Sequence, residues 1–365
     1  MAAAVTVADD ARLVSPPNPW VGAAIRTVDG VTVTGSTGRP GQAHAEVAAL
    51  GRLRQAGAEA TGATVAVTLE PCSHQGRTPP CVDALVAARV RRVIVAVVDP
   101  DPRVAGRGVE RLRRAGIEVT VGEGAAAVET QLAPYLHQRR TGRPYVVLKL
   151  ASTLDGATAA ADGTSQWITG APARADAHLV RAESDAIVVG AGTVRADNPR
   201  LTVRGVIATD GRPPRPPLRV VLGSAPADAA VRPCLEYRGD LGPLLDDLAG
   251  RGVLQVMVEG GAHVAAGFHR AGLVDRYVFY LAPALMGGDD GRGLFTGPGA
   301  PGIEDITRLR TLSAVPVGDD LRLDLIPEPD AYRAPNPVVG RTATLRSVTR
   351  ARPHEIDRSP GRTAR

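Results

Sequence analysis

Lysine is almost absent from this 365-residue chain. Its 43 basic residues comprise 42 arginines and a single lysine, Lys149. Arginine can replace lysine on a solvated surface, but not where a compact ammonium group is required. Lys149 is therefore a candidate functional residue, with chance survival as the alternative.

Cysteines, aromatic residues and long apolar runs are also scarce. Three cysteines cannot form a disulfide scaffold, and two Trp, six Tyr and three Phe are too few for a protein that stacks single-stranded bases. The longest apolar run, 277–286, falls short of the roughly 18 residues of a membrane span. Acidic residues at 9 and 10 do not fit a secretory signal. We expect a cytoplasmic protein without a membrane partner.

The excess positive charge is concentrated at the C-terminus. The formal net charge is +5, yet residues 331–365 carry eight arginines against Glu355 and Asp357. Residues 1–330 therefore hold 35 basic and 36 acidic side chains and are close to neutral. A neutral body argues against a nucleic-acid partner. Residues 328–365 lack apolar periodicity, which predicts a disordered, arginine-rich tail.

Strand-like and helix-like segments alternate along 1–330, which predicts α/β architecture with mostly parallel sheets. A basic Gly/Pro stretch at 139–144 interrupts the pattern. We therefore expect one domain over 1–140, a second over 144–327 and the tail over 328–365. The predicted strands are 63–69, 91–98, 117–121, 144–153, 185–190, 218–223, 253–260, 275–283 and 319–327, and the predicted helices are 81–90, 108–116, 125–139, 171–182, 241–250 and 262–272.

A metal-ligand pattern lies in the first half. His44 and Glu46 occur in HAEV, and Cys72 and Cys81 bound the segment CSHQGRTPPC. One imidazole and two thiolates suit Zn²⁺ and leave a fourth position for water, as in a catalytic site. The order H-x-E followed by P-C is that of zinc deaminases, in which the glutamate shuttles protons. The longer spacing to Cys81 departs from P-C-x-x-C, and two buried thiols are the alternative.

Four motifs together make the chain resemble the bifunctional riboflavin-biosynthesis deaminase/reductase family. They are PNPWVG (17–22), HAEV (44–47), LEPCSHQGRTPPC (69–81) and DPDPRVAGRG (99–108). The resemblance implies a cytidine-deaminase-like three-layer αβα domain followed by a domain resembling dihydrofolate reductase. It also implies Zn²⁺ and NADPH as cofactors and a phosphorylated pyrimidine as substrate.

Within the deaminase half, the resemblance implies that Asn18, His74 and Arg77 contact the substrate. Arg77 carries a guanidinium that can bind a phosphate group. Thr37 departs from the family pattern, since many relatives have a substrate-contacting histidine there.

Lys149 opens the segment that resembles the start of the reductase domain. Two glycine-rich segments that follow strands, at 188–204 and 256–268, independently suggest a phosphate site. We predict that Lys149 orients the ring-opened substrate and that Asp197 assists proton transfer. Gly223 departs from the family, where Asp often precedes the serine. The resemblance implies NADPH contacts from Ala151, Trp167, Thr193, Asp197, Ser224 and a turn formed by Gly261, Ala262, His263, Val264, Ala265, Ala266 and Gly267, and substrate contacts from Ser165, Arg181, Leu201, Arg204 and Glu259.

Two other hypotheses remain open from the sequence alone. The tail could hold nucleic acid beside a zinc deaminase, or one domain, more readily the reductase, could be inactive. The main hypothesis is a two-step enzyme that deaminates and then reduces a phosphorylated pyrimidine. We expect it to form a homo-oligomer.

Overall fold

The computed structural model describes residues 1–329, and the predicted tail lies outside them from residue 330 onward. The first part of the chain forms six helices and five strands around one sheet. They are α1 (Ala2–Asp9), β1 (Gly22–Arg26), β2 (Thr32–Ser36), α2 (Ala45–Gln55), β3 (Thr64–Leu69), α3 (Cys81–Ala87), β4 (Arg92–Val97), α4 (Arg107–Arg114), β5 (Glu118–Val121), α5 (Ala125–Gln131) and α6 (Ala133–Thr141).

The rest of the described chain builds a larger sheet, a small two-stranded one and their helices. Its elements are β6 (Tyr145–Thr153), β7 (Ala157–Ala159), α7 (Ala171–Ala182), β8 (Ala186–Gly190), α8 (Ala191–Asp197), β9 (Leu218–Leu222), β10 (Leu235–Tyr237), α9 (Leu241–Gly250), β11 (Gln255–Val258), α10 (Ala262–Arg270), β12 (Arg276–Ala282), β13 (Arg292–Gly293), a 3₁₀ turn (Ile303–Asp305), β14 (Leu309–Val317) and β15 (Asp320–Pro327).

The first sheet has the order β2-β1-β3-β4-β5. Strands β3, β4 and β5 are parallel, with Val65 opposite Val93, whereas β1 pairs antiparallel with both β2 and β3. Strand β3 is buried along nearly its whole length. This explains its continuous apolar, β-branched sequence, because a central parallel strand is covered by helices on both faces.

The second sheet has the order β10-β9-β8-β11-β6-β12-β15-β14. Its first six strands are parallel, and β15 and β14 extend it as an antiparallel hairpin. Two apolar clusters cover its faces, one around Leu148 and Phe268 and the other around Ile187 and Tyr280. The parallel arrangement brings the carboxyl ends of six strands to one edge.

The first part of the chain packs against the opposite edge, where the parallel strands begin. Arg12 Nη2 donates to the Glu183 carbonyl oxygen and to Gln255 Oε1, both at 2.8 Å. The Arg12 guanidinium also lies 3.8 Å from the centre of the Trp20 ring. Leu254, just before β11, belongs to the core of the first part. The carboxyl edge of the larger sheet is therefore left clear of this junction.

The structure corrects several element predictions. The segment 125–139 forms two helices, α5 and α6, rather than one, and Pro134 lies in the first turn of the second. The helix predicted over 262–272 is confirmed as α10, and Gly261 caps it, so the segment 261–267 forms a helix start and not a turn. The glycine-rich segment after β8 likewise forms helix α8. Helix α1 and strands β1, β2 and β14 were not predicted, because their sequences lack a clear apolar period.

None of the helices among residues 1–329 is both long and apolar enough to span a bilayer.

Candidate active sites

Three predicted metal ligands converge in the first part of the chain. The ligand atoms of His44, Cys72 and Cys81 all lie within 4.8 Å of one another. His44 Nδ1 is 3.6 Å from Cys72 Sγ and 3.3 Å from Cys81 Sγ. Tetrahedral Zn²⁺, with bonds of about 2.0 Å to nitrogen and 2.3 Å to sulfur, places such atoms about 3.5 Å apart. The donor set therefore fits zinc.

Local structure explains how these three residues meet. His44 is the residue before α2, Cys81 is the first residue of α3, and Cys72 lies in the loop after β3. The Cys81 backbone N–H donates to Cys72 Sγ at 3.3 Å. The nine-residue spacing between the cysteines thus joins a loop to a helix start.

A hydrogen bond between the two cysteines separates their pKa values. A hydrogen bond from Cys81 lowers the pKa of Cys72 to about 4, so this sulfur is a thiolate at neutral pH. The same hydrogen bond, together with burial, raises the pKa of Cys81. His44 Nε2 lies 3.3 Å from Thr78 Oγ1. With the proton on Nε2 donated to Thr78, Nδ1 keeps its lone pair directed towards the sulfurs.

Glu46 occupies the first turn of α2 beside this cluster and is only 3% exposed. Burial raises its pKa, and the negative charge of Cys72 raises it further. A carboxyl group whose pKa lies nearer to neutrality both accepts and donates protons, as general acid–base chemistry requires.

A cavity of about 150 Å³ adjoins the cluster. Asn18, His74 and Thr37 lie in its wall, as do Glu46 and two of the ligands. His74 Nδ1 is buried and has no hydrogen-bond partner within the described residues. Thr37 does not replace the family's histidine as a contact, because its hydroxyl is held by the backbone of Val21. The structure thus brings Asn18 and His74 to the cavity.

Arg77, a predicted substrate contact, does not line this cavity. Its side chain is exposed in the loop between the two cysteines. Two other arginines, Arg103 and Arg139, contribute to the wall. Arg103 Nη2 lies 2.7 Å from Asp101 Oδ2, and Arg139 Nε lies 3.5 Å from the same oxygen. These cations were missed because nothing in the local sequence connects α6 with the loop after β4.

The acidic residues of the wall were also missed, although two of them stand in the quoted DPDPRVAGRG motif. The hydrogen bond from Arg103 lowers the pKa of Asp101 to about 2. Burial raises the pKa of Asp99, which accepts a hydrogen bond from the Tyr135 hydroxyl at 3.1 Å. Glu70, also in the wall, accepts four backbone N–H bonds and thereby fixes the loop before α4. The cavity is therefore rich in hydrogen-bond acceptors.

A second cluster surrounds Lys149 on the larger sheet. Glu259 follows β11, and its Oε1 lies 3.8 Å from Lys149 Nζ. Arg181 of α7 holds the same carboxylate through two nitrogens, with Nη2 at 2.7 Å and Nε at 3.1 Å from Oε2. Arg181 Nη1 also donates to the carbonyl oxygen of Thr202 at 2.8 Å. Lys149 and Arg181 thus share the single carboxylate of Glu259, so the cluster has a net positive charge that suits an anionic ligand.

The three side chains are only partly accessible. The side chains of Lys149, Arg181 and Glu259 are 18%, 13% and 19% exposed. The structure therefore brings together one predicted catalytic residue and two predicted substrate contacts. Asp197 is not part of this cluster. It lies exposed in the last turn of α8, where partial desolvation raises its pKa.

The two predicted phosphate segments meet at the carboxyl edge of the sheet, because β8 and β11 are neighbours. The Gly261 backbone N–H donates to Thr193 Oγ1 at 3.2 Å. A Cβ on Gly192 would have no atom within 4 Å, so the backbone there is open to a ligand. Ligands bind at this edge in open α/β sheets, and glycines let them approach the backbone.

Other predicted cofactor contacts lie in varied environments. Trp167 is 68% exposed and stacks on Arg174, so it is not a core aromatic. Ala151 and Ser224 are half-buried. Ala265 and Ala266 are fully buried in the protein core, so their side chains face away from any bound ligand. Gly261 and His263 are exposed at the start of α10, and Ala262, Val264 and Gly267 are partly accessible.

The remaining predicted substrate contacts precede and follow α7 along the chain. Leu201 is buried and has a φ of +50°, an uncommon backbone conformation for a side chain of this size. Arg204 is exposed, and its Nε lies 3.3 Å from His178 Nε2. His178 Nδ1 in turn lies 3.4 Å from Arg181 Nη1. Ser165 is half-buried in the loop before α7.

Comparisons with known proteins match both parts of the chain. Residues 1–97 match the cytidine and deoxycytidylate deaminase zinc-binding region, and residues 144–323 match the RibD C-terminal domain. The riboflavin biosynthesis protein RibD of Escherichia coli is 41% identical over 89% of this chain and 98% of its own length.

Solved structures agree over nearly the same extent. RibD of Acinetobacter baumannii has a TM-score of 0.82 at 37% identity, covering 89% of this chain and 97% of that one. The diaminohydroxyphosphoribosylaminopyrimidine deaminase/5-amino-6-(5-phosphoribosylamino)uracil reductase of Thermotoga maritima has a TM-score of 0.77 at 30% identity, covering 89% and 96%. Together with the two assembled clusters, these likenesses show that the chain belongs to the RibD family of riboflavin biosynthesis proteins.

Proposed function

We propose that the chain catalyses two successive steps of riboflavin biosynthesis. The first is hydrolytic deamination of 2,5-diamino-6-(5-phosphoribosylamino)pyrimidin-4-one, and the second is NADPH-dependent reduction of the ribosyl group of the product to ribityl. The observation that carries the proposal is the presence of two assembled clusters on separate sheets. One is the His44, Cys72 and Cys81 set with Glu46, and the other is Lys149 with Glu259 and Arg181.

In the deamination, Zn²⁺ held by the three ligands supplies an activated water. Glu46 takes one proton from that water and gives it to the ring nitrogen while hydroxide adds to the ring carbon. It then takes the proton of the added hydroxyl group and gives it to the amino group, which leaves as ammonia. Burial and the negative charge of Cys72 raise the pKa of Glu46, which favours a carboxyl group that both accepts and donates a proton. Water adds to the ring carbon and ammonia leaves, so the exocyclic amine is replaced by a carbonyl oxygen.

The wall of the deaminase cavity suits an aminopyrimidine. Asp99 and Asp101 present carboxylate oxygens, which accept hydrogen bonds from ring and exocyclic N–H groups. Asn18 adds an amide that both donates and accepts, and His74 adds a free ring nitrogen. Arg103, whose side chain is 68% exposed, can bind the phosphate, and Arg77 remains a proposed phosphate contact from the loop between the two cysteines.

In the reduction, the proton on the amine nitrogen moves to the ring oxygen, which opens the sugar to an imine. NADPH, when bound, would supply a hydride to C1′ of the imine, and a proton drawn from solvent would go to the imine nitrogen, which completes the ribityl amine. Lys149 holds the open chain by donating to its oxygens, while Glu259 and Arg181 keep the ammonium in place. Asp197, exposed at the end of α8, is the proposed proton-transfer residue only if the substrate extends to it.

The cofactor and substrate roles proposed above for the reductase half agree in part with the observed surroundings. The open backbone at Gly192 and the exposed Gly261, whose amide positions the Thr193 hydroxyl, together form a surface for the NADPH pyrophosphate. Exposed Trp167 provides a flat apolar contact. Ser165, Leu201 and Arg204 remain proposed substrate contacts.

Separate assays of the two steps test the proposal. With the diaminopyrimidine substrate, Glu46→Gln should reduce ammonia release by at least about a hundredfold. The same variant should still oxidise NADPH when given the deaminated product. Lys149→Ala should release ammonia from the diaminopyrimidine normally but should lose NADPH oxidation with the deaminated product. Unchanged ammonia release in Glu46→Gln would overturn the deaminase assignment.

Mixing the two variants distinguishes two active sites from one. If each variant retains one step, an equimolar mixture regains NADPH oxidation from the diaminopyrimidine, with a lag while the intermediate accumulates. The lag is expected because the reductase cluster lies towards the carboxyl edge of its sheet and the deaminase part packs at the other edge. A mixture without activity would show that the assigned residues do not separate the steps.

We further propose the domain limits 1–140 and 144–327, which agree with one sheet ending before α6 and the next beginning at Tyr145. A homo-oligomer in the cytoplasm is also proposed. The exposed edge strand β14, with Val315 43% exposed, is a surface that a second copy could cover. Light scattering after gel filtration measures the oligomeric state. The described residues do not favour the nucleic-acid or single-activity alternatives.

A further inference from the structure

Arg238 occupies a position at the carboxyl edge of the larger sheet that neither the sequence motifs nor the comparisons explain. It follows β10, the outermost parallel strand, and its Nη2 donates to Ser224 Oγ at 2.7 Å. Ser224 follows the neighbouring strand β9. The register pairs Tyr237 with Leu222, so the two strands end at the same level.

These strand ends continue the row that begins at the glycine segments. The sheet order β10-β9-β8-β11 places Arg238, Ser224, Gly190 and Gly260 side by side along one edge. Strands lie about 4.8 Å apart, so Arg238 is roughly 10 Å from the end of β8. The row is contiguous, because a Cβ on Gly223 would lie only 2.9 Å from Ala191 Cβ at the start of α8. Gly223 also has a φ of +108°, which favours glycine and leaves no side chain beside Ser224.

The charges around Ser224 leave Arg238 free to bind an anion. Its acidic neighbour, Glu236, accepts a hydrogen bond from the Ser224 hydroxyl and from the Ala225 backbone N–H, the latter at 3.3 Å. The Glu236 charge is balanced by Arg232, which lies 2.6 Å away in an ion pair. Among the ion pairs of residues 1–329, Arg238 has no carboxylate partner, and its side chain is exposed. A guanidinium beside a serine hydroxyl is a typical receptor for a phosphate monoester.

We propose that Arg238, with Ser224, binds the 2′-phosphate of the adenosine ribose and so selects NADPH over NADH. This inference depends on the proposed function, because it assigns one end of the dinucleotide whose pyrophosphate lies at Gly192 and Gly261. The adenosine half then runs outward from β8 across β9 to β10. The ribose is the part of the cofactor that differs between the two dinucleotides, and it meets the one unpaired cation of this row.

Binding measurements with fragments test the inference without the reaction. Calorimetry would compare the affinity of the full chain for 2′,5′-ADP, which carries the 2′-phosphate, with its affinity for ADP, which does not. Arg238→Ala should weaken 2′,5′-ADP and NADPH binding by at least about tenfold, since a hydrogen bond between charged groups is lost. ADP and NADH binding should change less than twofold. Arg238→Lys should retain part of the preference, because the charge remains but the planar fork does not.

Arg251→Ala is the matched control. Arg251 is also an exposed arginine of this domain, but it pairs with Asp247 at the end of α9. The Arg251→Ala substitution removes the same charge away from the proposed phosphate site and should leave the affinities for 2′,5′-ADP and ADP unchanged. Equal weakening of 2′,5′-ADP and ADP by Arg238→Ala, or no weakening of either, would overturn the inference while leaving the proposed function intact. A wild-type chain that binds neither dinucleotide would overturn both.

Discussion

Replacing Glu259 by glutamine tests the charge arrangement of the reductase cluster. The substitution keeps the shape of the side chain and removes the one negative charge between Lys149 and Arg181. The two cations then face each other in a region where the side chains are 13–19% exposed. We expect a clear loss of stability, because partly buried charges that lose their partner are poorly solvated.

The expected size follows from the distances. At 3.8 Å and an effective dielectric constant of about 20, the Lys149–Glu259 attraction is about 4 kcal/mol. The bidentate contact with Arg181 adds to it, while the relief of desolvating the carboxylate subtracts from it. Breaking a fully buried pair costs about 3–5 kcal/mol. Because these groups keep some contact with water, we expect Glu259→Gln to lower the free energy of unfolding by about 2–4 kcal/mol.

Urea unfolding followed by circular dichroism measures this difference. Glu129→Gln is the control, since it removes the same group from an exposed pair with Arg140, whose side chains are 52% and 53% exposed. Exposed pairs contribute little, so the control should change stability by no more than about 0.5 kcal/mol. Adding Lys149→Met to Glu259→Gln should recover about 1 kcal/mol by removing one of the facing cations.

Two results would refute this reasoning. The first is a loss of stability in Glu259→Gln no larger than that in Glu129→Gln, which would mean that solvent already screens the cluster. The second is simple addition of the effects of Glu259→Gln and Lys149→Met on the free energy of unfolding. Additive effects would show that the two charges do not interact, despite the 3.8 Å separation of their atoms.

Three further predictions concern the rest of the chain. Gly108→Ala should destabilise the protein by about 2 kcal/mol or more, because the new Cβ would lie 2.1 Å from a backbone carbonyl oxygen. Gly51→Ala is the control in the same thermal melt. Gly51 lies inside α2 with open space around it, so this variant should stabilise the protein by about 0.5–1 kcal/mol. Thr78→Val should weaken zinc binding about 10- to 100-fold in chelator competition, since His44 loses its orienting partner, and Thr78→Ser should not. Arg12→Ala should speed proteolytic cleavage at 139–144, because it removes two hydrogen bonds at the junction; an unchanged cleavage rate would argue against that role.

Much of the fold follows from local pattern. The buried strands β3, β4 and β8 consist of continuous β-branched and apolar residues, and the limits predicted for α7 and α9 agree with the structure. Helix α1 and strands β1 and β2 escaped prediction because alanine, threonine and glycine give little apolar contrast. The single helix expected over 125–139 was wrong because Pro134 begins a new helix there.

The sequence by itself determined the metal chemistry, because histidine, cysteine and a nearby glutamate in that order carry their function in their side chains. It also singled out Lys149 by composition. Only the tertiary structure decided which atoms meet. Three contacts depend on strand order and loop packing. His44 directs Nδ1 towards the sulfurs, Asp99 and Asp101 line the cavity while Arg77 does not, and Lys149 pairs with Glu259. Strand order arises from contacts between residues far apart in the chain, and no local pattern encodes it.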